Sequence, residues 1–510
     1  MDLPTDLDAL DTEQLRALAM QLLNERQAKD EELRYKTAVN AKLTHEIAIL
    51  KRWQFAAKSE KLPMEQQSLL DEAIDADIIA IEHELAQLSD KPRADTESTK
   101  PRRAALPAYL PRTVICHEPK SSICHCGCEL KRIGEDVSEK LDYTPGVFTV
   151  EQHIRGKWVC AKCETLTQAP VPAHIIDKGI PTAGLLAQVL VAKYGDHLPL
   201  YRQERIFERA GFAIPRSTLG AWIGKCGVEL QPLVDALRRR VLERPILHAD
   251  ETPVAMLVPG KGKTHRSYLW AYSPGEFEDL KAVIYDFADG RGGEHARAFL
   301  GEWRGKLVCD DFSAYKALFT QGVTEVGCMA HARRKFFDLH ATNKSQIAKD
   351  ALEYIGQLYG IEREAKTLSP PQRHAIRQQR SRPIVEALHA WFTQQRLRVS
   401  EGSAIAKAID YSLKRWTALT RFLDDSQIPI DNNWCENQIR PIAVGRGNWL
   451  FAGSLRAGQR AAAVMSLIQS AKLNGHDPYR YIKDVLDRLP AHPAHRIDEL
   501  LPHLWSPETV

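Results

Sequence analysis

No run of about 18 apolar residues occurs anywhere in the chain, which is the length a helix needs to cross a bilayer. The first residues, MDLPTDLDALD, are acidic and lack the basic start and apolar stretch of a secretory leader. Both absences predict a cytoplasmic protein that does not meet the membrane. An excess of one charge is missing too: 69 Lys and Arg face 66 Asp and Glu, for a net +3. Affinity for a polyanion must therefore reside in local clusters and not in the total. Residues 12 to 58 contain neither Gly nor Pro, the residues that most often punctuate helices. Finally, no acid lies between Asn437 and His476, where Arg440, Arg446, Arg456, Arg460 and Lys472 supply the charge. Glu436 stands alone at the head of this basic stretch, and a carboxylate there suits a divalent cation beside a polyanion.

The chain has 510 residues, 44% of them hydrophobic, enough for roughly three or four domains with real cores. The stretch free of Gly and Pro carries Leu15, Leu18 and Leu22, then Leu43, Ile47 and Leu50. This predicts a long helix within a leucine-zipper-like segment, residues 1–95. It forms either a coiled coil, interrupted at Lys29 and Lys36, or a hairpin with residues 64 to 89. KPRADTESTKPRRAALPAYLPR then reads as a linker, assigned to 96–115.

Six of the ten cysteines lie between Cys116 and Cys163. Such crowding in a reducing compartment favours metal over disulfide. CHCGCEL at 124 to 130 and CAKC at 160 to 163 each offer two thiolates from a tight bend, as a tetrahedral zinc ion requires. We assign a zinc-finger domain to 116–170, with Cys124, Cys126, Cys160 and Cys163 as ligands. Cys126 with Cys128 is the alternative first pair, and Cys116 and His117 are spare candidates. Residues 171–240 look helical, and LYRQERIFERAGFAIPRSTLGAWI resembles a helix-turn-helix. Its second helix is expected to open at Pro215-Arg216-Ser217-Thr218 and to meet a phosphate there.

Beyond residue 241 the pattern changes to short β-branched and aromatic runs: ILHADETPVAML, SYLWAYSP, KAVIYDFA and GKLVCDDF. They predict a sheet with crossing helices, an α/β domain over 241–475 split by a helical insertion at 341–428, with a C-terminal segment at 476–510. Two of these strands end in acids, Asp250-Glu251 and Asp310-Asp311. A carboxylate at the edge of a core is costly unless it meets a metal or a cation. Strand alternation sends the members of each pair to opposite faces, so one of each can enter a shared site. A third acid, Glu436, is expected on a short helix capped by Asp431 or Asn432 and discouraged from continuing by Pro441. Two strand aspartates and a helix glutamate suit a pair of magnesium ions acting on a phosphodiester.

These residues resemble the transposases of the insertion-sequence sixty-six family, a branch of the DDE transposases. The resemblance rests on QFAAKSEKL, CHCGCEL with CAKC, LPLYRQE, HADETPVAML with its PGKGKT loop, GCMAHARRKFFD, and DNNWCENQIRPIAVGRGNWLFAGS through SAKLNGHDP. It implies a ribonuclease-H-like catalytic domain after the zinc-finger segment, with Asp250, Asp310 and Glu436 as catalytic ligands of Mg2+ or Mn2+. Asp310, Phe312 and Tyr315 fit the pattern around the family's second aspartate. Asp311 stands where the family commonly has Gly, and Gly447 where it commonly has a basic residue. The activity implied is metal-dependent strand cleavage and strand transfer of an insertion sequence. His331, Arg333, Arg334, Arg440 and Arg446 are the candidate contacts to DNA. The partners implied are element ends and target DNA, a second copy of the chain, and accessory proteins of the same element, with the protein on the bacterial nucleoid when bound. A structure-specific nuclease, or a zinc-dependent DNA-binding regulator with an inactive core, are the alternatives.

Overall fold

The computed structural model describes residues 12–55, 79–83, 106–119, 121–144, 146–176, 179–258 and 263–507. The QFAAKSEKL motif beyond Phe55, most of the expected hairpin partner 64–89, the linker up to residue 105 and most of the PGKGKT loop lie outside them. Freedom from Gly and Pro gives an unbroken helix, Thr12–Phe55. Leu15, Leu22 and Leu43 are exposed on it, whereas Ala38 is buried. Lys42 pairs with Glu82 at 3.0 Å, beside buried Ala80 and Ile81, so the segment 79–83 lies against this helix. The side chains of Ile47 and Leu50 are outside the described set.

The first sheet is built on a long antiparallel hairpin, β2 (Leu130–Thr144) and β3 (Val147–Cys160), with Leu130 opposite Cys160. β1 (Arg112–His117) runs parallel to β3, and β4 (Leu166–Gln168) pairs with its far end. The hairpin has two environments. Near its turn Leu141, Tyr143, Phe148 and Val150 are buried in the main core, while Lys131 to Ser138 are exposed.

The second sheet comprises β5 (Ile246–Leu257), β6 (Thr264–Pro274), β7 (Ile284–Ala288), β8 (Lys306–Cys309) and β9 (Thr324–Gly327). Their order is β7-β6-β5-β8-β9, antiparallel on the β7 side of β5 and parallel on the β8 side. The two-residue β10 (Phe451–Ala452) pairs with the far end of β5. Helices Ala183–Tyr194, Arg216–Glu229, Gln231–Leu242 and Leu455–Leu473 share one apolar core with this sheet, around Trp270, Tyr272 and Phe287. The edge strand β7 is covered: Val283 and Tyr285 donate their backbone N–H groups to Ser470 and Ser466 of the last of these helices, at 3.0 and 2.8 Å. A paired edge cannot recruit a foreign strand. Gly458 makes this approach possible, since a Cβ there would lie 2.3 Å from Phe287.

A second core unites Ile246, Val308 and Val326 of the sheet and Phe336 of the helix Met329–Asn343 with Ile355, Leu388, Phe392, Ile409 and Phe422 of the helical insertion. Arg377 is fully buried there, bound bidentately by Glu362 at 2.9 and 2.6 Å and by the carbonyls of Phe422 and Asp425. With these four acceptor bonds the guanidinium is compensated and pins three segments of the insertion together.

The helix after Gly211 opens where expected, running Arg216–Glu229 with Pro215 as its N-cap; Glu204 takes the Arg216 N–H at 3.2 Å and its guanidinium at 3.1 Å. One expectation is corrected: the helix of Glu436 is not short, since it runs Asn433–Trp449 through Pro441. Pro441 lies on the exposed face, where water can serve the carbonyl that loses its partner. On the opposite face Cys435, Ile439 and Ile442 are buried. At roughly 1.5–3 kcal/mol for each large apolar side chain, this burial outweighs the ~3 kcal/mol of an interior proline.

Candidate active site and zinc centre

The zinc centre forms at the open end of the β2–β3 hairpin. Gly127, with φ +82°, lets the chain turn between Cys124 and Cys128, whose backbones bond at 2.8 Å. A second turn, closed by Glu164 N–H on the Cys160 carbonyl at 2.9 Å, presents Cys160 and Cys163. The four Sγ atoms of Cys124, Cys126, Cys160 and Cys163 lie within 4.8 Å of one another, with pairs at 3.3, 3.5 and 3.7 Å. A tetrahedron of thiolates about 2.3 Å from zinc has edges near 3.8 Å, so this donor set fits the ion. Hydrogen bonds from the Thr165 side chain and backbone hold the Cys163 thiol down to about 6, whereas Cys126, against a hydrogen bond from the Cys128 backbone, is pushed up to about 11 by hydrogen bonds among the thiols and by burial, so the fit to zinc rests on the geometry of the four sulfurs. Cys128 falls outside the cluster. Cys116 and His117 pair with Ile154 and Arg155, six and five residues, or about 17–20 Å, along the strand from Cys160.

The acids gather at one end of the second sheet. The parallel register places His248 beside Val308, and two residues further on it brings Asp250 to Asp310, just past the end of β8. Burial, then the charges of Glu251, Glu436 and Asp310, push the Asp250 carboxyl up to about 8. The like charges of Glu251, Glu436 and Asp310 therefore reach the Asp250 carboxyl, as they do where carboxylates face a common region. One oxygen of Glu436, Oε1, is buried without a hydrogen-bond partner. Carboxylate oxygens are the donor type that magnesium and manganese take.

The second acid of each pair turns elsewhere. Glu251 accepts hydrogen bonds from Arg291 at 2.9 and 2.5 Å and from the Tyr315 hydroxyl at 2.8 Å, and Arg291 stacks on Phe312, 3.7 Å from its ring centre. The segment after Asp310 is thereby tied to the strand of Asp250. Asp311 faces Lys316 at 3.5 Å and Arg415 at 3.6 Å. Arg415, from the insertion, also binds Glu325 at 2.5 Å and donates to the Asp310 carbonyl at 3.3 Å. Asn432 fixes the third acid: its Nδ2 donates to the Ala249 carbonyl at 2.9 Å, and its Oδ1 accepts from His248 Nδ1 at 2.8 Å. Burial pushes His248 down to about 4, so it is the neutral donor this bond needs.

The family model described as "Transposase IS66 family" matches residues 178–460, and "IS66 C-terminal element" matches 466–503. "Zinc-finger binding domain of transposase IS66" matches 121–164, and "Transposase C of IS166 homeodomain" matches 42–115. The chain belongs to the IS66 transposase family. Among its relatives is the uncharacterized protein y4qI of Sinorhizobium fredii, 37% identical over all of this chain and 99% of that protein. The uncharacterized protein y4jD of the same organism is 36% identical over 92% of this chain and 95% of its own.

For this IS66-family chain the candidate DNA contacts divide. Arg333, Arg334 and Arg440 are exposed on the two helices that carry His331 and Glu436. Arg446 instead bonds Thr252 and the Pro253 carbonyl on β5, at 3.1 and 2.5 Å. His331 lies beside Glu436, with Nδ1 3.8 Å from Oε1. Arg291, His248 and Arg415 were not singled out in the sequence; Glu251 was named only as the partner of Asp250, and Asn432 only as a helix cap, which it is. The polar His248 within ILHAD and the two amides of DNN were the only local signals. Among the described residues no helix is long and apolar enough to cross a membrane.

Proposed function

We propose that this chain is a DDE transposase whose ribonuclease-H-like domain cleaves the strand at an element's end and joins the freed 3′ hydroxyl to target DNA. The observation that carries the reading is the crowding of Asp250 by Asp310 and Glu436, from two adjacent strands and one helix. A mixed sheet in which the first three strands are antiparallel and the fourth and fifth lie parallel beside the first supports the ribonuclease-H-like assignment. When bound by these carboxylates, divalent ions supply activation of the attacking oxygen and stabilisation of the leaving one. The protein's own groups position and bind. Asn432 sets the start of the Glu436 helix on β5, Glu251 and Arg415 fix the segment around Asp310, and Arg333, Arg334 and Arg440 meet phosphates. No side chain serves as nucleophile. The exposed Leu15, Leu22 and Leu43 leave a face of the long helix for self-association.

The test is strand transfer on pre-cleaved element ends with magnesium and any accessory proteins needed. Asp250→Asn, Asp310→Asn and Glu436→Gln should lose the reaction while DNA affinity is kept, and Asp311→Asn should retain it. Activity at the wild-type rate in Glu436→Gln would refute the assignment. Cleavage without joining in the wild type would make the protein a nuclease.

A further inference from the structure

The sequence CMAH places Cys328 at the N-cap of the helix Met329–Asn343 and His331 in its first turn. This turn brings Cys328, His331 and Glu436 together, with their ligand atoms within 4.8 Å of one another. Cys328 Sγ is occupied, accepting the Asn432 N–H at 3.3 Å. The other two atoms, His331 Nδ1 and Glu436 Oε1, are both buried and both without a hydrogen-bond partner. At 3.8 Å they are too far apart to bond each other. Each is buried with no hydrogen bond in return, a costly arrangement for two adjacent groups. Two metal–ligand bonds of about 2.1 Å reach across as much as about 4.2 Å, so one cation between them satisfies both.

We propose that His331 is a metal ligand that shares an ion with Glu436, and that this site, having a nitrogen donor, takes Mn2+ in preference to Mg2+. Imidazole suits transition metals, while magnesium prefers oxygen ligands and keeps its waters. The inference rests on the reading of Glu436 as a metal ligand and goes beyond it by assigning the neighbouring donor and the ion it selects. It also gives His331 a role different from that of Arg333 and Arg334, which project from the same helix into solvent.

Binding of Mn2+ and Mg2+ to the full-length, zinc-loaded protein tests this by calorimetry, with electron spin-echo modulation of the Mn2+ form to detect a bound imidazole nitrogen. The wild type should bind Mn2+ about tenfold or more tightly than Mg2+ and show the nitrogen modulation. His331→Ala should erase that modulation and weaken Mn2+ about tenfold, with Mg2+ changed less than about threefold. Asp338→Asn, at an exposed position of the same helix, should alter neither. A wild type without nitrogen modulation overturns the proposal and needs no variant. So does unchanged Mn2+ affinity in His331→Ala when Asp250→Asn abolishes binding, an outcome that leaves the carboxylate reading intact. If Asp250→Asn, Asp310→Asn and Glu436→Gln all bind Mn2+ as the wild type does, the carboxylate reading fails and the inference fails with it.

Discussion

At the scale of single residues, the site depends on groups that never touch a substrate. Asn432 is 1% exposed and spends both ends of its amide on β5. Its replacement by Ala leaves the His248 Nδ1–H and the Ala249 carbonyl stranded in a dry place. Asn432→Ala should destabilise the protein by about 2–3 kcal/mol, read from urea denaturation, whereas Asn437→Ala, at an exposed position of the same helix, should change it by less than about 0.5 kcal/mol. Equal effects would remove Asn432 as the anchor of the Glu436 helix. Part of this was legible in the sequence: alternation sends Asp250 and Glu251 to opposite faces, and Glu251 does turn to Arg291 and Tyr315. Its partner was not legible, because Arg291 is 40 residues away and nothing in the local pattern couples them.

At the scale of elements, the cysteine turns were readable because their chemistry is local. The choice between Cys124 and Cys128 was not, since spacing permits both and only the turn at Gly127 decides which thiol points inward. Full-length protein should bind zinc through the cluster, measured by atomic absorption. Cys126→Ser should lose about one equivalent, as expected for a site with four ligands, and Cys128→Ser should keep it. Retention by Cys126→Ser would move the site elsewhere. The Glu436 helix shows the reverse case. A proline rule is also local, but whether Pro441 breaks a helix depends on which face it occupies, and that is set by packing against β5 and β6.

At the scale of the whole molecule, the sheet order was beyond the sequence because it is decided by pairings between distant segments, although the strands themselves and the helical insertion were visible as composition. Interfaces between such segments leave their own mark. Asp487, on the helix Pro478–Arg488, is pushed up to about 6, first by burial and then by Glu151, Asp484 and Asp142 acting against Lys483. An ordinary Asp titrates near about 4, so between these values the folded chain keeps a proton that the unfolded chain has lost. Stability from this group therefore falls as pH rises from about 4 to about 6 and stays reduced above that. Asp487→Asn should raise the melting temperature at pH 7.5 and change it little at pH 4; an equal shift at both would show that the charge is not the cause. The covered edge of β7 has a consequence for synthesis. Its two serine caps come from the helix Leu455–Leu473, and the His248–Asn432 bond spans 184 residues. A ribosome thus finishes the five strands long before it delivers the groups that close them, and during that interval an open, apolar edge waits for its own chain. A copy of the gene interrupted just upstream of Ser466 would yield an aggregating polypeptide and not a weakened enzyme.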